Sequence, residues 1–193
     1  MAGHARYTAL LDACVLYPLA MTDALMSLAT AGFFAAKWTT KIEEEWIRSL
    51  EKKRPDLVGK LFVRRDDMRV TIPDWEVSEA AWTSLARGIE LPDPNDVHVL
   101  AAAIAGHADC IVTSNLKDFP NLVLMEYGIE AIDPDTFIIN QWDLDPVNAI
   151  AAFKRMRARR KKPLSSPENF AYALELGGLP TTAERLRAAA ELI

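Results

Sequence analysis

Cysteine is scarce in this sequence, and its two cysteines do not suit a protein held together by disulfides. Cys14 and Cys110 both lie within apolar segments of the 193-residue chain. Small disulfide-dependent proteins usually carry several cysteine pairs. We therefore expect two buried free thiols that behave as small apolar side chains, as in a cytoplasmic protein.

Long hydrophobic runs are also missing. No apolar stretch approaches the roughly 20 residues that a membrane-spanning helix needs. The first twenty residues, MAGHARYTALLDACVLYPLA, make a poor secretion signal because Asp12 interrupts the apolar part. These absences predict a cytoplasmic protein without membrane association.

Positive charge is scarce everywhere except in one cluster. The formal net charge is −5, from 22 basic and 27 acidic residues. Seven of the basic residues fall between positions 154 and 162, and the rest of the chain then has 15 basic residues and a formal charge of −12. Solubility is the ordinary explanation for so acidic a body, and a set of metal-binding carboxylates is the more specific one.

The pattern of short apolar segments and helical segments predicts one α/β domain. We predict strands at residues 7–12, 69–72, 110–113, 122–125 and 128–132. We predict helices at 19–36, 41–53 (capped by Thr40), 55–62, 78–87, 97–106, 146–160, 168–176 and 182–193. Strands that alternate with helices indicate a mainly parallel sheet covered by helices on both faces. The helical end of the chain predicts a domain at 1–140 and a C-terminal helical appendage at 141–193.

Acidic side chains cluster at the ends of these elements, most clearly in residues 91–120, LPDPNDVHVLAAAIAGHADCIVTSNLKDFP. Asp93 suits the cap of the helix that follows, and Asp96 suits its third position. Asn115 and Asp118 follow the next strand, and Asp12 ends the first one. In a parallel sheet the carboxyl ends of the strands share one edge, and the helix that precedes a strand begins near that same edge. We therefore expect these side chains to converge.

Converging carboxylates predict a site for a hard divalent cation. Crowded acids repel one another unless a cation compensates them. Oxygen ligands suit Mg²⁺ or Mn²⁺, and the three histidines are too poorly spaced for zinc. Such a site favours metal-dependent hydrolysis of a phosphate ester.

Each acid taken alone also has an ordinary interpretation. Helix caps and turns commonly use aspartate. The run Glu43-Glu44-Glu45 is typical of a solvated helix face, and at most one of the three is expected to be functional. Glu45 is expected to point inward, because it shares a helix face with apolar residues.

The combination resembles PIN-domain nucleases, and most of all the toxin ribonucleases of VapBC toxin–antitoxin pairs. The matching segments are LLDACVL, TKIEEEWIRSL, residues 91–120 and GIEAIDPDTF, which together cover about residues 9–137 in the family's order. The resemblance implies a PIN-like three-layer α/β fold, Mg²⁺ or Mn²⁺ as cofactor, and cleavage of single-stranded RNA. It also implies a homodimer and a small antitoxin protein that inserts into the active groove.

The same resemblance assigns residue roles. The implied catalytic residues are Asp12, Glu45, Asp96 and Asp118, and the implied metal ligands are Asp12, Glu45, Asp93, Asp96, Asn115 and Asp118. Glu45 is chosen because it follows Ile42 in the family's I-x-x-E pattern. Asn115 departs from the acid that many relatives carry, and Asp118 is expected to supply the missing charge. Thr113 is expected to hold Asp12 or another ligand through its hydroxyl.

The basic cluster and two histidines are less decisive. Cations at a helix end complement the helix dipole, but seven within nine residues favour contacts with RNA phosphates. The cluster consists of Lys154, Arg155, Arg157, Arg159, Arg160, Lys161 and Lys162. His98 and His107 are expected to be packing or surface residues.

Two other functions compete with the nuclease. One is an inactive PIN-like module that binds RNA or protein, in which Asn115 marks a degraded site. The other, a haloacid-dehalogenase-like phosphatase, needs an acid where Cys14 stands and is rejected. For the nuclease, Asp12→Ala or Asp96→Ala is expected to abolish cleavage without disturbing the fold.

Overall fold

A computed structural model describes residues 7–160 and 165–193, which contain four short strands and eleven α-helices. In chain order they are β1 (Thr8–Leu11), α1 (Ala13–Leu16), α2 (Leu19–Thr30), β2 (Ala35–Lys37), α3 (Thr40–Lys53), α4 (Leu61–Thr71), α5 (Glu79–Trp82), α6 (Val97–Ala105), β3 (Cys110–Val112), α7 (Asn121–Leu124), β4 (Glu130–Ile132), α8 (Pro134–Leu144), α9 (Pro146–Arg159), α10 (Pro167–Leu176) and α11 (Pro180–Ala188). The described residues form two compact units. The first contains residues up to Tyr17 and Phe34–Ile132, and the second contains Pro18–Phe33 and the residues from Asp133 onward.

The first unit is built on a four-stranded sheet in the order β2-β1-β3-β4, with every pair parallel. The central strands β1 and β3 are apolar and almost wholly buried, as expected for parallel strands with both faces covered. Leu11 pairs with Val112, so Asp12 and Thr113 leave the two strands side by side at the carboxyl edge.

Helices of the same unit pack against this sheet. α6 contacts β1 and β3, and α7 contacts β4. The fully buried alanines of α6, Ala101–Ala103, let its backbone approach the strands closely. The predicted α/β class, a parallel sheet with flanking helices, is confirmed. None of the helices in the described ranges is long and apolar enough to cross a membrane.

Several predicted elements are wrong. Residues 69–72 and 122–125 were expected as strands, but the first segment completes α4 and the second overlaps α7. The helix expected at 19–36 ends at Thr30, and its last two residues begin β2. Thr39, not Thr40, caps α3, because its hydroxyl accepts a hydrogen bond from the Ile42 N–H at 3.1 Å.

All the secondary-structure elements in the described residues of the second unit are helices. α2 packs against α8, α9 and α10, while α11 packs against α8 and α10. Asp135 is buried within this unit, and its carboxylate accepts hydrogen bonds from the N–H groups of Thr181 and Thr182, which caps the start of α11. The domain boundary near residue 140 stays a prediction, and the unit that holds the C-terminal helices also includes residues 18–33.

Candidate active site

Four of the predicted polar side chains line one cavity of about 500 Å³ in the first unit. They are Asp12, Glu45, Asp96 and Asn115. Asp12 follows β1, Glu45 lies on α3, Asp96 immediately precedes α6, and Asn115 comes after β3. Four segments that are distant in sequence therefore direct oxygen-bearing side chains into the same space.

Asp12 is the most tightly held of these side chains. It is 4% exposed, and its Oδ1 accepts a hydrogen bond from the Ala13 N–H at 2.6 Å, which starts α1. Its Oδ2 accepts from the Thr113 hydroxyl at 2.7 Å and from the Cys14 thiol at 3.1 Å. Three donors thus fix the carboxylate before any ligand is bound.

Thr113 links Asp12 to the loop that carries Asn115. It is fully buried, and while its hydroxyl donates to Asp12 it also accepts a hydrogen bond from the Asn115 N–H at 3.0 Å. The threonine that directly follows β3 therefore couples the geometry of two cavity-lining residues. Its predicted supporting role rests on this contact.

Cys14 should react slowly with thiol reagents, although it lines the cavity. Burial, followed by the negative charge of Asp12, raises the pKa of this thiol to about 12. At pH 8 about one thiol in ten thousand is then ionised, and the thiolate is the reactive form. Burial also raises the pKa of Cys110 to about 12. We expect the native protein to react with a chromogenic disulfide reagent much more slowly than the urea-unfolded protein. Equal rates would contradict this environment.

The three adjacent glutamates of α3 occupy three different environments. Glu43 is 1% exposed, accepts a hydrogen bond from the Trp38 ring N–H at 2.9 Å, and forms an ion pair with Arg69. Glu44 is exposed. The side chain of Glu45 is about 30% exposed and lines the cavity. The expectation that Glu45 is the most inward acid is therefore wrong, because Glu43 has buried partners on other segments.

His98 lies beside Glu45 and was not predicted at the site. It is 3% exposed, and its Nε2 is 2.9 Å from Glu45 Oε1. The two groups lack the alignment of a hydrogen bond, and in the described chain neither ring nitrogen has another hydrogen-bond partner. The Trp82 ring packs against the imidazole at 6.0 Å between centroids. The expectation that His98 is a packing residue fits its burial but misses its contact with Glu45.

Asp96 carries the clearest electrostatic signature. Burial, then the charges of Asp12, Asp93 and Asp118, raise its pKa to about 6, and His98 partly opposes them. Asp93 and Asp118 are not among the cavity-lining residues of the described chain, but their charges reach Asp96. Asp93 accepts a hydrogen bond from the Asn95 N–H at 2.8 Å, as a cap. The acids are thus close enough to repel one another.

The oxygen-bearing side chains that line the cavity are of the chemical type that binds a hard divalent cation. Carboxylate and amide oxygens are the ligands that Mg²⁺ and Mn²⁺ prefer. Within residues 7–160 and 165–193, however, no three His, Cys, Asp or Glu side chains stand close enough together to hold one ion. The lining residues therefore suit such a cation in chemical type, and they share one cavity. In the described chain they do not form a complete coordination sphere.

Comparison with known proteins identifies the family. A family model described as "PIN domain" matches residues 8–117, more than half of the chain. The chain belongs to the PIN domain family. A second model, described as "VapC50 C-terminal domain", matches residues 134–188.

One curated relative matches part of the chain. "Putative ribonuclease VapC50" of Mycobacterium tuberculosis (strain ATCC 25618 / H37Rv) is 53% identical over 49 residues. These residues are 25% of this chain and 29% of that protein, so the match spans less than a third of the relative's length. No solved structure gives a significant match.

The basic cluster lies outside the PIN domain match, and several of its cations make contacts within the second unit. Lys154 donates to the Leu192 carbonyl, Arg157 to the carbonyls of Ser165 and Ile193, Arg159 to Asp23 and Ser27, and Arg160 packs over the Phe170 ring. Arg155 is exposed, and Lys161 and Lys162 lie outside the described residues. These contacts favour a structural role for four of the seven cations, and RNA binding by the cluster stays a prediction.

The PIN domain cavity also contains residues that sequence reasoning did not single out. They are Ala13, Tyr17, Trp46, Ser49 and Lys53. Their spacing from Glu45 is the signal that could have found two of them, Ser49 and Lys53, because residues four apart share a helix face.

Proposed function

We propose that this chain is a Mg²⁺- or Mn²⁺-dependent endoribonuclease of the VapC toxin type. The observation that carries the proposal is the convergence of Asp12, Glu45 and Asp96 on one cavity. The raised pKa of Asp96 supports it, because mutual repulsion among carboxylates is the condition that a bound cation relieves. The PIN domain family and the relative described as a ribonuclease agree with this chemistry.

The proposed ligands are Asp12, Glu45, Asp96 and Asn115, with Asp93 and Asp118 contributing negative charge nearby. A divalent cation at such a site lowers the pKa of water and stabilises charge on a phosphodiester. The three hydrogen bonds to Asp12 keep its carboxylate oriented toward the cavity.

The remaining residues act on position and charge. His98 confines the Glu45 carboxylate at 2.9 Å and so limits the orientations that this side chain adopts. The exposed side-chain amide of Asn115 offers its oxygen to the cation and its N–H to a substrate oxygen. In this proposal Asp118 supplies charge that Asn115 lacks, and thereby strengthens attraction for the cation.

The proposed partners follow from the toxin assignment. They are an RNA substrate, a cognate antitoxin protein and a second copy of the chain in a homodimer, in the cytoplasm. The match of residues 134–188 to the VapC50 C-terminal domain supports this assignment. Co-expression with a small protein encoded beside it, followed by co-purification and loss of RNA cleavage, would test the antitoxin.

The deciding experiment is cleavage of single-stranded RNA with controlled metal. We expect cleavage in Mg²⁺ or Mn²⁺, a loss of at least about 100-fold in EDTA, and recovery when the metal is restored, since the cation supplies several kcal/mol of charge stabilisation. Denaturing gels with end-labelled RNA measure the rate. Undiminished cleavage in EDTA would refute metal dependence, and no cleavage of any RNA would refute the nuclease.

An inactive PIN-like binding module is the second candidate, and the open spacing of the carboxylates favours it. The two candidates differ in metal affinity. A ligand that binds only the folded state raises stability with its concentration, so a nuclease should show a rising melting temperature on Mn²⁺ titration. A binding module without a metal site should show none.

A further inference from the structure

Three side chains with different functional groups line the cavity along one face of α3. Glu45, Ser49 and Lys53 all line it, and they are spaced four residues apart. Residues at this spacing share a helix face, and eight residues span about 12 Å along the axis. The cavity therefore passes from a carboxylate, through a hydroxyl, to an ammonium group.

Tyr17 lies at the cationic end of this face. The Lys53 Nζ is 4.9 Å from the centroid of the Tyr17 ring, and both residues line the cavity. The backbone before the ring is anchored, because Arg64 donates to the carbonyl oxygens of Leu16 at 2.6 Å and Tyr17 at 3.2 Å. The Arg64 guanidinium itself packs over Trp46 at 4.7 Å. The ring is thus presented from a fixed main chain.

The negative charge of the cavity would repel a nucleic acid unless a positive group lay near it. Among the residues that line it in the described chain, Asp12, Glu45 and Asp96 are acids, and Lys53 is the single cation. A phosphate-bearing chain that enters an acidic cavity is repelled unless its other phosphates meet positive charge. Stabilisation of the α3 dipole explains a lysine at the helix end, but Lys52 serves that purpose equally and does not line the cavity.

We propose that Tyr17, Ser49 and Lys53 form a subsite for the nucleotide next to the phosphodiester that is cleaved beside Asp12, Glu45 and Asp96. Lys53 binds the phosphate of that nucleotide, Ser49 donates a hydrogen bond to its backbone, and the Tyr17 ring stacks on its base. The ligand is single-stranded nucleic acid, bound through charge and stacking with little preference among bases. This inference rests on the proposed function, because it places the reacting phosphate at the acidic end.

Direct binding tests the subsite without requiring cleavage. The full-length protein would be titrated with a fluorescein-labelled single-stranded RNA of about ten nucleotides in EDTA, and anisotropy would give the dissociation constant. Lys53→Ala is expected to weaken binding about 5-fold or more, and to reduce the slope of log affinity against log salt by about 0.7, the value for one phosphate contact on a single strand. Lys52→Ala is the matched control, expected to bind like the wild type.

The aromatic contact has its own pair of variants. Tyr17→Phe should retain affinity because it keeps the ring, whereas Tyr17→Ala should lose about 5-fold or more, since it removes the aromatic ring on which a base stacks. Unchanged melting temperatures would show that both variants are folded. If Lys53→Ala binds as tightly as Lys52→Ala, or Tyr17→Ala as tightly as Tyr17→Phe, the subsite is wrong even if the protein cleaves RNA. Lys53-dependent binding without cleavage in Mn²⁺ would support the subsite and refute the nuclease.

Discussion

Asp96→Asn is expected to lower RNA cleavage by at least about 100-fold while making the metal-free protein more stable at pH 7. Cleavage falls because the variant lacks one charged ligand of the cation. The cation supplies several kcal/mol of transition-state stabilisation. Stability rises because ionised Asp96 is repelled by Asp12, Asp93 and Asp118 and partly removed from water. We expect a gain of about 1 kcal/mol after allowing for solvent screening, or about 2–4 °C in melting temperature.

The size of this stability gain depends on pH in a defined way. The pKa of Asp96 is about 6 in the folded protein and 3.8 as its ordinary value. A raised carboxyl pKa favours the folded state below about pH 4, and that contribution is lost as the pH rises through about 6. The stability advantage of Asp96→Asn should therefore be absent at pH 4, grow between pH 4 and 6, and be complete at pH 7.

Glu126→Gln is a suitable control, because it removes the same charge from an exposed residue elsewhere in the first unit. It should keep full cleavage and show no comparable change in stability between pH 4 and 7. Thermal melts over this range, with and without Mn²⁺, measure both variants. If the Asp96→Asn protein cleaves RNA at the wild-type rate, Asp96 is not a ligand of the active-site cation.

The consecutive glutamates of α3 offer the second large contrast. Glu43→Ala should lower the free energy of unfolding by about 3 kcal/mol, because it leaves Arg69 and the Trp38 ring N–H without their buried partner. The value falls at the lower end for a broken buried pair, since the Arg69 side chain is 33% exposed. Glu44→Ala, at an exposed position, should change stability by less than about 0.5 kcal/mol. Glu45→Ala should keep most of the stability but lose at least about 100-fold in cleavage.

Urea unfolding and the RNA cleavage assay, applied to all three variants, separate stability from activity. The expected result is one destabilised protein, one unchanged protein and one folded but inactive protein. A folded, stable Glu43→Ala variant would show that its ion pair contributes little. Full cleavage by Glu45→Ala would instead show that Glu45 is not the second acid of the site.

The Asp12→Ala variant suggested by the sequence does not separate an effect on catalysis from an effect on folding. The structure gives that carboxylate three hydrogen-bond donors in a buried position. Removing it takes away the carboxylate acceptor of the Ala13 N–H and of the Thr113 O–H, at a cost of about 1–3 kcal/mol for a buried donor that loses its partner. Lost cleavage in Asp12→Ala therefore mixes chemistry with folding. Asp96 makes no cap hydrogen bond and gives the sharper test.

Sequence patterns predicted the parallel sheet well where apolar runs and helix caps agree. The segment from Asp93 to Asn115 is the clearest case, because its cap, its small-residue helix and its apolar strand each have strong local signals. Residues 69–72 failed for the opposite reason. Val70 and Thr71 favour strands by side-chain shape, yet α4 continues through them because they are exposed and no strand pairs with them.

Elements and contacts defined by distant partners could not be predicted. β2 is only Ala-Ala-Lys, and it is a strand because it pairs with β1 at residues far away in sequence. The burial of Glu43 depends on Arg69, and the importance of His98 depends on Glu45. Helical periodicity shows which side chains share a face, but it does not show what lies opposite them.

The split of the second unit along the chain has a consequence for synthesis on the ribosome. Most residues of α2 are buried, and the helix packs against α8, α9 and α10, which are made more than a hundred residues later. Chains fold largely from the N-terminus as they emerge, so the side of α2 that packs against these three helices waits for them until translation is nearly complete. A premature stop after Ile132 would spare every strand of the sheet but remove α8, α9 and α10, the partners of α2 in the second unit. Such a product should aggregate or be degraded rather than accumulate as a free sheet unit.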